Sequence, residues 1–72
     1  MKKSKYDVRR TVEVEKLGKI TATAGALNLI SLVLTESANL NRRQGFRATA
    51  DLRDRQSKQV YDTLAKTGFY EN

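Results

Sequence analysis

The side chains best equipped for chemistry in this 72-residue chain are cations, and they fall in two blocks. Lys2, Lys3, Lys5, Arg9 and Arg10 lie within the first ten residues, and Arg42, Arg43, Arg47, Arg53 and Arg55 lie within residues 42–55. Counting acids in the same stretches, residues 1–10 carry +4, residues 11–41 carry −1, residues 42–55 carry +3 and residues 56–72 carry zero, for a formal net charge of +6. Charge concentrated in this way steers phosphate-bearing ligands without selecting among them. A guanidinium can grip a phosphate through two parallel hydrogen bonds. On a helix, Arg43, Arg47 and Arg55 project to a broadly common side with Arg42 at the bend, so they are candidates for successive phosphate contacts. The competing reading is a solvated face balanced by Asp51 and Asp54. Lys2, Lys3 and Lys5 form a terminal arm that Arg9 and Arg10 continue onto the first strand; it serves either sequence-independent attraction to a phosphate backbone or solubility.

Bond-making chemistry has little to work with. The sequence contains neither His nor Cys, which removes the near-neutral proton shuttle, the thiolate nucleophile and the usual metal ligands. Asp51 and Asp54 share a helix side at i, i+3, but Arg47, Arg55 and Lys58 neutralise them locally, and no other pair of acids has a spacing that specifies general acid–base work. Gly18 and Gly45 are isolated, so no Gly-rich phosphate-cradling loop exists. The expectation is a protein without catalytic residues and without a cofactor or metal. Arg53 is the sharpest single anomaly, because it falls on the line of Phe46, Ala50, Ser57, Val60 and Leu64, where an apolar residue belongs. It either snorkels to the rim or lines a pocket or an oligomer seam with Ser57 and Tyr61. Tyr6, Tyr61 and Tyr70 are either packing residues or platforms for stacking on bases.

These groups need a scaffold, and the apolar spacing supplies one that changes period at Gly25. Tyr6, Val8, Val12 and Val14 occupy even positions against polar odd ones, with Arg10 the exception. The alternation resumes weakly at Ile20, Ala22 and Ala24 after a turn at Gly18. This predicts a β-hairpin over residues 6–24 that must lie on something, since two strands alone are rarely stable. Leu27, Ile30, Leu34 and Ala38 then recur at helical spacing, and Ala26, Leu29, Val33 and Leu40 widen the stripe to about half the circumference. The hairpin or a second copy must cover so broad a face. The spacing predicts a first helix over 26–44, stopped at Gly45, and a second, continuous helix over 46–67, stopped at Gly68. Ion pairs at i, i+4 are expected between Asp54 and Lys58 and between Asp62 and Lys66, and Phe69 and Tyr70 are expected to close back over the helices as an aromatic plug within the tail 68–72.

The fold class expected is therefore α+β: residues 1–72 as one domain, a flexible arm over 1–5, and an N-terminal hairpin packed on an antiparallel two-helix hairpin. A chain this short buries about 60% of its unfolded surface, so oligomerisation is the remaining reinforcement without disulfide or metal. The run from Ala26 to Leu34 is too short to span a bilayer and begins too late for a signal peptide. With no Cys to suggest an oxidising compartment, the expected location is cytoplasmic, the host cytoplasm if a phage encodes the chain.

Two local resemblances add to this. The run Val12-Glu13-Val14-Glu15-Lys16-Leu17-Gly18-Lys19-Ile20 is similar to the first hairpin of AbrB-type swapped-hairpin transcription factors, which implies a dimeric DNA-binding barrel; the chain departs from that pattern by lacking the proline after the second strand and turning helical. The segment Val60-Tyr61-Asp62-Thr63-Leu64-Ala65-Lys66-Thr67-Gly68-Phe69-Tyr70 resembles the close of a helical hairpin in small phage and prophage proteins of low-GC Gram-positive bacteria, a likeness covering residues 26–72. It implies a mobile-element origin, and with it either DNA binding or inhibition of a host protein or defence system. Three functions are expected in order: nucleic-acid binding by a self-associating protein, antagonism of a host protein or sequestration of a nucleotide signal, and a role as an assembly component built on the stripe from Leu27 to Leu40.

Overall fold

The computed structural model describes residues 4–71, and the part of the basic arm at Lys2 and Lys3 lies outside them. It has the α+β architecture expected: a single 3-10 turn at Lys5–Asp7, strands β1 (Arg9–Val14) and β2 (Gly18–Thr23), and helices α1 (Ala24–Arg43) and α2 (Arg47–Lys66). β1 and β2 pair antiparallel with Val12 opposite Ile20 and Glu13 opposite Lys19. Their turn is closed by the Leu17 amide donating to the Val14 carbonyl at 3.0 Å, with positive φ at Lys16 and Gly18.

The strand begins later than the alternation predicts. Tyr6 belongs to the 3-10 turn, capped by the Ser4 hydroxyl, and is half-exposed, its ring meeting that of Phe69 in a T-shaped contact at 5.2 Å between centroids. The first helix, conversely, begins earlier. Thr23 ends β2 and caps α1, accepting from the Ala26 amide at 3.2 Å, so Gly25 sits inside the helix and does not precede it. Its role is close approach: a Cβ there would lie 3.3 Å from the Tyr6 carbonyl oxygen and Cβ, tighter than most real contacts. Gly45, at φ 86°, makes the expected stop between the helices, and α2 runs unbroken through residues 53–57.

β1 lies over α2 and β2 over α1. Val12, Val14, Ala24, Leu27, Leu34, Val60, Leu64 and Phe69 form the core between these layers, with Ile20, Ala22 and Ile30 partly buried against it. The hairpin reaches only half of the helix pair. Its open end meets the start of α1 and the Phe69 tail, and its turn stops at Gln56 and Gln59 near the middle of α2. Beyond it the helices touch through fully buried Ala38 and Ala50, small residues that let the backbones approach. This leaves an elongated molecule of 48 × 23 × 16 Å. Leu27, Ile30, Leu34 and Ala38 point inward as the spacing predicts, whereas Leu29, Val33 and Leu40 remain exposed, because a two-stranded hairpin is too narrow to cover the whole stripe. No helix among the described residues is long and apolar enough to cross a membrane.

Ser31, an interruption in the apolar run, is buried for a reason. It faces Ser57 across the helix pair, where the Ser57 hydroxyl donates to the Ser31 carbonyl at 2.9 Å and lies 2.7 Å from the Thr35 hydroxyl. Buried side-chain nitrogens and oxygens among the described residues all have partners, so this polar seam orients the helices without an unsatisfied group.

Candidate anion-binding surface

Arg9 and Arg10 stand at one end of the molecule and Arg42, Arg43 and Arg47 at the other, while Arg53 and Arg55 lie along α2 between them. Arg9 lies opposite Thr23 at the open end of the hairpin, one residue before α1 begins, and Arg43 is the last residue of α1. Twenty helical residues at 1.5 Å each separate those ends by about 30 Å.

At the far end, Arg43 and Arg47 flank the Gln44-Gly45-Phe46 turn, and both are exposed. Neither belongs to an ion pair among the described residues, which hold two: Arg42 with Asp54, and Arg55 with Glu15. Those two pairs correct the expected pattern. Asp54 turns across the helix hairpin to Arg42 and not along α2 to Lys58, and no Asp62–Lys66 pair forms among the described residues. Arg55 leaves the common arginine side altogether. Its Nε and Nη2 donate to the two carboxylate oxygens of Glu15, both at 3.0 Å, locking the hairpin turn to α2. The hydrogen bond from Arg55 holds the Glu15 carboxyl below its ordinary range, outweighing the opposing effect of desolvation, and raises Arg55 in turn.

Because the folded-state value of Glu15 is depressed, the link it provides is present above the ordinary glutamate range and is lost as the pH falls through the folded value. Glu15→Gln therefore flattens the acid limb of the stability curve below about pH 4.5. Urea midpoints of the variant and the parent chain, compared at acid and neutral pH, measure it; equal slopes for both proteins mean that the pair contributes nothing.

At the near end, Arg9 is exposed on the solvent face of the sheet and Arg10 is half-buried on the helix-facing side at its margin. The solvent face is otherwise mild: the Thr11 and Thr21 hydroxyls meet at 2.8 Å and Glu13 stands opposite Lys19. The ammonium of Lys5 sits 5.3 Å from the Phe69 ring and 5.6 Å from that of Tyr6, so it is tethered by aromatic faces and is not part of a free arm.

Arg53, Ser57 and Tyr61 do not share an environment. The Arg53 Nη1 donates to the Gln56 Oε1 at 2.9 Å at the margin of the hairpin's cover, Ser57 faces the α1 seam, and Tyr61 lies outside, stacked on Tyr70 at 4.6 Å and 21°. There is no pocket among the described residues for them to line. The Tyr70 hydroxyl donates to the Asn28 Oδ1 at 2.8 Å, and burial, with Tyr61 second, pushes its ionisation upward. Phe69 is buried and Tyr70 is half-exposed, so the tail closes over the helices with one ring inside and one at the rim. What sequence reading missed is Gln56, fully buried and bonded to both Arg53 and the Glu15 carbonyl. Its only signal was its place between apolar positions of α2.

Among the described residues, no group of His, Cys, Asp or Glu could hold a metal ion. The two ends present the guanidinium groups of Arg9 and Arg10 and of Arg43 and Arg47. Comparison of the chain with protein families, curated proteins and solved structures found no match.

Proposed function

We propose that this chain is a non-enzymatic nucleic-acid-binding protein that holds a phosphate backbone at its two ends, through Arg43 and Arg47 at the helix turn and Arg9 and Arg10 at the hairpin. The observation that carries the reading is that these four arginines stand outside the ion pairs of the described residues, while Arg42 and Arg55 are spent on structure. Their separation of about 30 Å corresponds to roughly nine base pairs at 3.4 Å each, so one short duplex can reach both ends. Contacts of this kind fix position and carry no base preference.

Binding of a fluorescent duplex followed by anisotropy at several salt concentrations tests it. Four phosphate contacts give a slope of log K against log salt of about −3.6, a loss of about a hundred-fold between 50 and 200 mM. Arg43→Ala with Arg47→Ala lowers that slope by about two. Arg55→Gln, which removes a guanidinium already held by Glu15, leaves it nearly unchanged. An affinity indifferent to salt ends the proposal, as does an equal effect of all three substitutions.

A further inference from the structure

The outer side of α1, turned away from both α2 and the hairpin, is apolar without a partner. Leu29 is 62% exposed, Val33 65% and Leu40 53%. With Ala26, Glu36 and Arg43 they form a row, 26, 29, 33, 36, 40 and 43, alternating in steps of three and four as in a helix–helix seam. The outer side of α2 presents Asp51, Lys58, Asp62 and Lys66 instead, all exposed. The molecule thus has one adhesive flank and one polar flank.

We propose that this side of α1 packs antiparallel against the same side of a second copy of the chain, independently of nucleic-acid binding. Charge chooses the direction. Glu36 and Arg43 are the charged members of the row, and a parallel copy would set Glu36 on Glu36 and Arg43 on Arg43. An antiparallel copy that overlaps the full row places Leu29 against the partner's Leu40, Val33 beside the partner's Glu36, and Arg43 at the rim beside the partner's Ala26. Every exposed aliphatic of the row is then covered, Arg43 is held far from its own copy, and Glu36 is offset from its own copy by three residues in place of lying directly on it. A membrane surface fits less well, because an interfacial helix is bordered by Lys and Arg, whereas the central stretch of this row carries only Glu36. With a single adhesive flank the contact is isologous and closes at two copies. One helix length, about 30 Å, gives an interface at the small end of the range for stable complexes, so the association is expected near about 10–100 μM.

Sedimentation equilibrium from about 1 μM to about 1 mM, a range that brackets this value, tests it. The parent chain is expected to pass from monomer to dimer. Val33→Glu, set beside the partner's Glu36, weakens association at least ten-fold, while Val33→Glu combined with Glu36→Lys restores it to within a few-fold. That rescue belongs to the antiparallel seam alone, since a parallel one would stack Glu on Glu and Lys on Lys. Both positions are exposed, and an unchanged circular dichroism melt confirms that the variants fold. A chain that stays monomeric, one that floats with anionic vesicles in place of self-associating, or a double variant as weak as the single one overturns the proposal.

Discussion

Leu27→Ala lowers the chain's stability by about 2–5 kcal/mol, whereas Leu29→Ala, two residues on, leaves the monomer's stability within about 0.5 kcal/mol of the parent. Leu27 is fully buried at the point where β1, α1 and α2 meet, in contact range of a cluster that includes Val12, Val14, Val60 and Leu64. Truncating such a leucine costs about 2–5 kcal/mol, the transfer energy of its methyl groups plus the cavity they leave. A domain of this length has a stability of about 4–11 kcal/mol in all, so one substitution removes a large share of it. Leu29 has most of its surface in water already and gives up little. Urea unfolding by circular dichroism, run at concentrations below self-association, reads both. Equal losses at the two positions would mean that the stripe on α1 is buried on both sides and that the half-covered architecture is wrong.

That contrast also marks where sequence reading reaches its limit. The alternation at Val12 and Val14 and the helical recurrence of Leu27, Leu34 and Ala38 were legible because periodicity is a local property and burial follows it. Which part of a wide apolar stripe is covered depends on the width of what lies on it, and nothing in the spacing of Leu29, Val33 and Leu40 reports that. Gly25 misled in the same way. It reads as a break between period two and period 3.6, but it is in the helix because Tyr6 passes over it, a contact between residues 19 apart in sequence. The partners of the arginines lay further out of reach. Arg42 meets Asp54 across a turn, and Arg55 meets Glu15 forty residues away. A helix-local rule assigned Asp54 to Lys58, because i, i+4 neighbours are the ones a linear sequence can show. In the second basic block the arginines that remained as candidates, Arg43 and Arg47, are ones to which no carboxylate among the described residues is paired.

Gln56→Met is expected to cost about 1–3 kcal/mol, although it keeps the side chain's length and nearly its volume. The reason lies in how the hairpin finds its place. Burial of Val12 and Val14 drives the hairpin onto the helices, but hydrophobic contact has no direction, and a strand slid by two residues still points the same face inward. Hydrogen bonds must supply the register. The Glu15 amide donates to the Gln59 Oε1 at 2.8 Å, and the Glu15 carbonyl accepts from the Gln56 Nε2, also at 2.8 Å. Two glutamines three residues apart on α2 thus clasp both backbone polar groups of one residue, as a neighbouring strand would, just past the end of β1. Methionine at position 56 leaves the Glu15 carbonyl and the Arg53 guanidinium without that partner while filling the same space, which separates the polar contribution from packing. Urea midpoints give the loss. Hydrogen exchange gives its location, since the Glu15 and Leu17 amides at the turn are expected to lose protection before the amides of α1 do. Protection lost evenly along the chain, or no loss at all, would mean that Val12 and Val14 hold the register unaided.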